Sequence, residues 1–143
     1  MAIVESAHTK RRLNPATYLG STDAIAEQLV PPYRGYKETF TITDIDVAGN
    51  SNPIEIGSML LVGVSVVAVN QGSADATIDL FVQESDNGTN FADINAAADI
   101  ALTNTVLFGR KRVDLYGANL GLRWTVTGTT KNWDLTITFV CKN

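Results

Sequence analysis

The sequence predicts an all-β protein: an antiparallel β-sandwich or jelly roll with an extended N-terminal arm and one short helix. Apolar and polar residues alternate along several runs, as they do in half-buried strands. Clusters of Gly, Asn, Asp and Ser separate these runs at the spacing of turns. Roughly eight runs can be counted, the pattern of an antiparallel sandwich. The expected division is an arm with the helix over residues 1–35 and a sandwich domain over residues 36–143.

The first 20 residues show neither helical nor strand periodicity, and Asn14, Pro15 and Gly20 interrupt them. We therefore expect an extended arm. The segment Ser21-Thr22-Asp23 offers N-cap side chains to a helix that must end before Pro31. Such a short helix is marginal in water by itself. The arm and the helix should therefore pack on the domain, on a neighbouring subunit or on another protein.

The central strand is expected over Met59 to Val69, which is rich in β-branched residues and apolar at nearly every position. This composition predicts a strand that is covered on both faces. One face carries Leu60, Val62, Val64, Val66 and Ala68; the other carries Leu61, Gly63, Ser65, Val67 and Val69. The second face has smaller side chains and suits packing against another subunit. The run is too short to cross a membrane, which takes about 20 apolar residues, so no membrane partner is expected.

Further strands are expected around this one, at Tyr36 to Asp44, Asp75 to Ser85, Thr103 to Phe108, Leu122 to Thr127 and Trp133 to Val140. The turn Asp86-Asn87-Gly88 tolerates positive φ and predicts a hairpin into a return strand over Phe91 to Ile94. Val47 to Pro53 is expected to be a loop. Asn95 to Asp99 is expected to be a loop or a single helical turn.

The 143 residues fit one domain, and the 45% hydrophobic and 18% charged content is that of a folded protein. The net charge of −4 is unevenly distributed. Residues 1–20 hold Lys10, Arg11 and Arg12 against Glu5, a balance of +2, which leaves −6 for the remainder. Two interpretations stay open: a basic arm that docks on an acidic surface, or solvated charges on a loose terminus.

The single cysteine, Cys141, excludes an intramolecular disulfide and a thiolate metal cluster. We interpret it as a small residue at the end of the last strand. The N-terminus has no apolar run of signal-peptide length after a basic start. The chain is therefore expected to be made in a cytoplasm and not to be exported by that route.

Catalytic chemistry has little support in this sequence. A hydrolytic triad or a metal site usually needs histidine, cysteine or clustered carboxylates, and the only histidine, His8, lies on the predicted arm. No glycine-rich loop opens a helix to hold phosphate. We therefore expect neither an enzyme nor a cofactor. A glycosidase that uses only carboxylates is the remaining alternative.

Acidic residues gather in two predicted loops, and their oxygens are ligands that Ca²⁺ accepts. The groups are Asp44 and Asp46 before Asn50, and Glu84 and Asp86 with Asn87. Asp and Asn in turns, however, commonly satisfy their own backbone. We favour this second interpretation and predict no metal.

A second basic cluster, Arg110-Lys111-Arg112, lies in the acidic body of the chain. If the cluster lies on a strand, Arg110 and Arg112 share one face and Lys111 takes the other. A nucleic-acid site would be more basic and would interleave aromatic residues with the charges. The pattern favours an acidic protein partner and argues against nucleic acid.

The run from Gln83 to Ile94 lies between an Ala/Thr-rich alternating strand and the segment Leu122 to Thr129, which a final alternating strand follows. Over about residues 73 to 140 this arrangement resembles small virion proteins of tailed bacteriophages, of the head-decoration or cement kind. The resemblance implies a sandwich, commonly a trimer, that fastens major capsid protein subunits with its N-terminal extension. It also implies a place on the capsid surface after assembly in the host cytoplasm.

On this reading, two sets of residues would form the contacts. The arm would bind capsid protein through Lys10, Arg11, Arg12, Tyr18 and Leu19, and the homo-oligomer would form through Val62, Val64, Val67, Val69 and Trp133. A tail, connector or fibre component is an alternative that shares the same sandwich.

The other alternative is a carbohydrate-binding sandwich module, because the strand and turn around Asp86 also resemble discoidin-type domains. Its candidate aromatic residues are Phe91, Tyr116 and Trp133. Each lies in or beside an alternating strand, so we expect all three in the core.

Overall fold

The computed structural model describes residues 2–12, 35–57 and 59–142, which form strands and no helix. The strands are β1 (Val4–Glu5), β2 (Thr9–Arg12), β3 (Gly35–Ile45), β4 (Gly49–Asn50), β5 (Ile54–Glu55), β6 (Leu61–Asn70), β7 (Thr77–Ser85), β8 (Ala92–Asp93), β9 (Ile100–Leu102), β10 (Phe108–Asp114), β11 (Asn119–Thr127) and β12 (Trp133–Lys142). The predicted short helix, Tyr18 and Leu19 lie outside the described residues. Nothing in the described ranges forms a helix long and apolar enough to span a membrane.

The strands form two sheets, and every pairing is antiparallel. Sheet A has the order β1-β3-β12-β6-β10, and β2 also pairs with β3. Sheet B has the order β4-β11-β7-β8; β5 also pairs with β11 and β9 with β7. The inward faces of both sheets supply a single hydrophobic core. The predicted all-β sandwich is confirmed.

The apolar residues that alternate along the strands form the hydrophobic core. Its buried side chains include Val62, Val64, Val66 and Ala68 of β6, Ile78, Leu80 and Val82 of β7, Leu120, Leu122 and Trp124 of β11, and Trp133, Leu135, Ile137, Phe139 and Cys141 of β12. Successive residues of a strand point to opposite faces. The residues between these positions therefore form the outer face of each sheet.

The two faces of β6 have different outcomes. Val67 and Val69 are 52% and 53% exposed, so the outer face is uncovered within one chain, and its predicted packing against another subunit stays a prediction. Val62, Val64 and Trp133, predicted to lie at an oligomer interface, are core residues instead. A continuously apolar strand has no alternation to mark its inner face, and pairing with β12 and β10 decides it.

Residues 4–12, predicted to be part of an extended arm, pair with the edge of sheet A. Val4 lies opposite Thr43 in β3, and Lys10 lies opposite Glu38. Between the two short strands, the imidazole of His8 stacks on Phe40 with ring centroids 3.9 Å apart. This part of the arm therefore packs on the sandwich, which is one of the three positions expected for it.

Charged side chains of this segment interact with other charged groups of the same chain. The Nε2 atom of His8 lies 2.9 Å from Oε1 of Glu5, and its Nδ1 atom lies 3.7 Å from Oε1 of Glu38. Burial raises the pKa of Glu38, and the nearby charges of His8 and Lys10 act in the opposite direction. Lys10 thus faces an acidic group of its own sheet.

Arg11 and Arg12 continue β2 through their backbone, and their side chains lie outside the described part of the structure. Their predicted contact with capsid protein stays a prediction.

The hairpin at Asp86 to Gly88 is confirmed: Gly88 has a φ of 76°, and β8 returns along β7. The strand predicted over Thr103 to Phe108 is wrong. The backbone turns there, with hydrogen bonds between Thr103 and Val106 of 3.1 and 3.2 Å. The hydroxyl of Thr103 accepts from the Val106 amide at 3.2 Å, and such a local bond competes with a strand.

The remaining connections also refine the prediction. Gly49 and Asn50, inside the predicted loop, form β4. Asn95 to Asp99 contains no helical turn. The side-chain amide of Asn95 instead donates to Asp99 Oδ1 at 2.7 Å, and Asp99 Oδ2 accepts from the Val82 amide at 2.7 Å. These bonds hold the loop against β7.

Candidate functional site

A groove of about 600 Å³ lies over the outer face of sheet B. It is lined by Asn50, Ser51, Pro53, Gln83, Gly88, Thr89, Phe91, Gly121 and Arg123. Strands β4, β7 and β11 contribute, together with the segments that follow β4 and the β7 turn. The lining combines one aromatic ring with amide, hydroxyl and guanidinium groups.

The position of the aromatic ring depends on a glycine in the neighbouring strand. Two ring carbons of Phe91 lie 3.4 Å from where a Cβ atom of Gly121 would be. The absence of a side chain at this point lets the ring pack closely on β11. Phe91 is only half-buried, so part of its ring remains available in the groove.

The base of the groove holds an ion pair. Arg123 donates from Nη2 to Asp93 Oδ2 at 2.7 Å and from Nε to Asp93 Oδ1 at 3.1 Å. Its guanidinium carbon lies 4.0 Å from the centroid of the Phe81 ring. Gln83 Nε2 also donates to Asp93 Oδ1 at 2.8 Å. The guanidinium is therefore held in place, and its charge is compensated.

The register of sheet B brings these residues together. Phe81 and Arg123 are partners across β7 and β11, as are Gln83 and Gly121. Asp93 of β8 lies opposite Gln83 on the other side. Partners in adjacent antiparallel strands have neighbouring Cβ atoms on the same face. The ion pair, the amide and the glycine under the Phe91 ring thus occupy adjacent positions.

The β4 side of the groove is fixed by hydrogen bonds to β11. The Ser51 amide donates to the Leu122 carbonyl at 2.7 Å, and the Leu122 amide donates to Ser51 Oγ at 2.9 Å. Asn50 pairs with Arg123 through the backbone. No protein hydrogen bond is found for the side-chain amide of Asn50 or the hydroxyl of Thr89 within the described ranges. Both groups can bind a ligand.

The Asp93–Arg123 pair makes a testable contribution to stability. The hydrogen bond from Arg123 is the main reason that the pKa of Asp93 lies below its ordinary value. A carboxylate with a lowered folded-state pKa stabilises the protein above its unfolded pKa of about 3.9, and this contribution is lost as the pH falls through the folded pKa. We expect Asp93→Asn to lower the urea midpoint at pH 6 and to lose less stability than the wild type on acidification to pH 3.

The control for this experiment is Asp114→Asn, an exposed carboxylate of β10. Its unfolding midpoint should follow the wild-type pH profile. If the Asp93→Asn profile also follows the wild type, the ion pair contributes no pH-dependent stability.

Of the three aromatic candidates, only Phe91 lines the groove. Trp133 is buried in the core as expected. Tyr116 was expected in the core but is 89% exposed and does not line the groove. Its backbone amide and that of Gly117 donate to Glu84 Oε2 at 2.8 and 3.0 Å. This turn points the Tyr116 side chain away from the sandwich.

The side chains of the second acidic loop, Glu84 to Asn87, bind backbone amides, as favoured from the sequence. Besides Glu84, Asn87 accepts through Oδ1 from the amides of Thr89 and Asn90, each at 2.9 Å. Among the residues that the structure describes, no cluster of three or more His, Cys, Asp or Glu side chains could hold a metal ion.

No protein-family model and no curated protein matches this chain. Three solved structures show its similarity to known sandwiches. The CBM22-1 xylan-binding domain of Paenibacillus barcinonensis Xyn10C is 22% identical, with 73% of this chain and 72% of that chain covered and a TM-score of 0.45. The xylan-binding module CBM15 is 10% identical, with coverages of 98% and 96% and a TM-score of 0.44.

The third is VP2 of infectious bursal disease virus, in the form of a subviral particle. It is 12% identical, with 74% of this chain and 32% of that chain covered and a TM-score of 0.44. Likenesses this distant carry no information about the ligand, partner or activity of this chain. The groove itself is the basis for a functional proposal.

Proposed function

We propose that this chain is a non-enzymatic carbohydrate-binding module that binds a neutral glycan in the groove on sheet B. The half-buried Phe91 in the groove lining, among hydrogen-bonding side chains, is the observation that carries this proposal. The C–H face of a sugar ring packs on an aromatic ring, and the sugar hydroxyls exchange hydrogen bonds with amides and hydroxyls. A groove of this size with a few placed polar groups suits a small ligand.

The charges favour a neutral ligand over an anionic one. Of the described residues that line the groove, only Arg123 is charged, and Asp93 already binds two of its nitrogens, Nε and Nη2. An anionic ligand would have to compete with Asp93 for the guanidinium. A neutral sugar hydroxyl can accept a hydrogen bond from the guanidinium while the ion pair stays intact.

The same lining supports binding without hydrolysis. Glycosidases use a pair of carboxyl groups that flank the scissile bond, and the described residues place no carboxylate in the lining of this groove. Asp93 lies nearby, but its two oxygens are bound to Arg123 and Gln83, and its lowered pKa makes it a poor general acid.

Calorimetric titration with soluble neutral oligosaccharides of xylose, glucose, mannose and galactose tests this proposal. We expect at least one series to bind, and Phe91→Ala to weaken that binding by about tenfold or more, which corresponds to about 1.4 kcal/mol. Gly121→Val should have a similar effect, because its side chain would displace the ring. The matched control is Phe108→Ala, which removes a 55% exposed ring from sheet A and should leave binding unchanged.

Two results would contradict the proposal: no neutral oligosaccharide binds, or binding survives both Phe91→Ala and Gly121→Val in correctly folded protein. Co-sedimentation with phage capsid shells in the absence of glycan binding would favour decoration instead. The resemblance to decoration proteins stays a prediction until that experiment is done.

A further inference from the structure

Among the described strands, β10 forms one edge of sheet A and pairs only with β6. It has seven residues, whereas the other edge strands of the two sheets in the described part of the chain, β1, β2, β4, β5, β8 and β9, have two to four. The free side of an edge strand presents unpaired N–H and C=O groups. Strand β10 is therefore the edge best able to pair with an additional strand.

The side chains of β10 give this edge a distinct chemistry. Arg110, Lys111 and Arg112 are all exposed, and none of them forms an ion pair within the described residues. Arg110 lies opposite Ser65 and Arg112 opposite Gly63 in β6, so both arginines project on the outer face. A groove of about 570 Å³ runs beside them.

An apolar residue precedes these charges on the same face. Phe108 is 55% exposed and lies opposite Val67, which is also exposed. At the other end of the strand, Asp114 lies opposite Leu61 and is the last residue of this outer face. The outer face of β10 therefore presents an aromatic ring followed by two cations, which are two residues apart in the strand.

We propose that β10 binds an acidic, extended polypeptide segment as an added strand of sheet A. Backbone hydrogen bonds along the free edge would hold the segment, and alternate side chains would provide specificity. Side chains two residues apart on a strand are separated by about 6.6 Å. Two carboxylates in alternate positions of the segment would therefore lie beside Arg110 and Arg112, and an apolar residue would lie beside Phe108.

A second copy of this chain does not fit the edge. Two β10 strands paired in antiparallel register about Lys111 would place Arg110 of each copy beside Arg112 of the other. Like charges directly opposite each other destabilise a pair of strands, so this edge is protected against self-association. The same charges attract an acidic strand.

Fluorescence anisotropy with a labelled synthetic peptide of about eight residues tests this inference. In this peptide glutamate alternates with threonine, and a valine occupies the last outward position. We expect saturable binding that weakens about tenfold or more for the Arg110→Glu, Arg112→Glu double variant. The Lys37→Glu, Lys131→Glu double variant changes the net charge by the same amount and should bind as the wild type does. Phe91→Ala should not affect this binding, because Phe91 belongs to sheet B.

Two modified probes separate strand addition from simple charge attraction. The same peptide with alternate backbone nitrogens methylated on one edge keeps its charges but cannot pair, so it should lose binding. A peptide that carries lysine in place of each glutamate should not bind. In hydrogen exchange, the acidic peptide should slow the amides of Phe108 to Asp114 that face away from β6.

Equal binding of the methylated and unmethylated peptides would overturn strand addition, as would unchanged binding to the Arg110→Glu, Arg112→Glu variant. Absence of binding at about 1 mM peptide, a concentration that corresponds to only about −4.1 kcal/mol, would also overturn it. Tighter binding of single-stranded oligodeoxythymidine than of the acidic peptide would identify a nucleic-acid surface instead.

Discussion

Replacing Trp133 with alanine is expected to lower the free energy of unfolding by about 3–5 kcal/mol, the usual cost of removing a buried tryptophan. Trp133 is fully buried and is paired between Ile45 of β3 and Asn70 of β6. Removal of the indole would leave a cavity where the central strands of sheet A meet the core. Urea denaturation followed by circular dichroism measures this change, and sedimentation velocity measures the mass of the folded protein.

The variant Trp133→Phe separates packing from polarity at this position. The indole Nε1 atom is buried and has no hydrogen-bond partner in the described part of the chain, and an unsatisfied buried donor costs about 1–3 kcal/mol. Phenylalanine removes that donor and keeps most of the apolar volume. We expect Trp133→Phe to lower the free energy of unfolding by less than half as much as Trp133→Ala does. Tyr116→Ala, at an exposed position, should change the stability by no more than about 0.5 kcal/mol.

An interface role for Trp133 makes the opposite prediction. If the indole held two subunits together, Trp133→Ala would reduce the sedimenting mass and leave the stability of the monomer unchanged. That result would contradict the position of Trp133 in the core and restore the original prediction.

The sequence predicted the class of fold because alternation is a local signal. From Ile78 to Val82 in β7 and from Trp133 to Cys141 in β12, every second residue is apolar and lies in the core. Strand β6 lacks this signal, since Val67 and Val69 are as apolar as Val64 and Val66. Its orientation depends on partners distant in the sequence. The interface predicted from β6 therefore mixed core residues with surface residues.

The two short strands of the N-terminal segment could not be predicted, for a related reason. Residues 4–12 contain few apolar residues and no alternation, yet they pair with β3 through backbone hydrogen bonds that any sequence can make. The contacts that hold them, such as His8 on Phe40, join residues far apart in the chain. A pattern within one segment cannot predict them.

The candidate site could be predicted only in part. Phe91 was identified as a candidate aromatic, because it follows a recognisable turn. Gln83 and Arg123 looked like ordinary outward residues of alternating strands. They converge because the β7–β11 register places Gln83 opposite Gly121 and Phe81 opposite Arg123. A shift of two residues would have kept every side chain on its face and dispersed the site.

The second large effect is expected at Gly128, where two loops lie unusually close together. Gly128 has a φ of 129°, and a Cβ atom added there would lie 2.6 Å from the Cα atom of Ala76. Asp75 ties the same loops together by accepting from the amide and the hydroxyl of Thr129, the latter at 2.8 Å. Hydrogen bonds from Ser73 and Thr129 lower the pKa of Asp75 to about 2, so this connection persists at neutral pH.

We expect Gly128→Ala to lower the free energy of unfolding by about 2–4 kcal/mol. The backbone conformation accounts for about 1–2 kcal/mol of this loss, and overlap with rigid backbone atoms accounts for about 1–3 kcal/mol. Gly57→Ala is the matched control, because Gly57 also has a positive φ, of 61°, but among the described residues, its chain neighbours aside, no atom lies within 4 Å of the added Cβ. That variant should show only the backbone cost.

The difference between the two variants measures the contact between the loops. If Gly128→Ala and Gly57→Ala lower the urea midpoint equally, the loops must separate at little cost, and the Asp75–Thr129 connection cannot be a rigid part of the fold. If Gly128→Ala costs more, the excess is the cost of the overlap between the added Cβ atom and the β6–β7 loop, and it shows that the loops resist separation. These loops join strands of different sheets, so this contact helps to fix one sheet on the other.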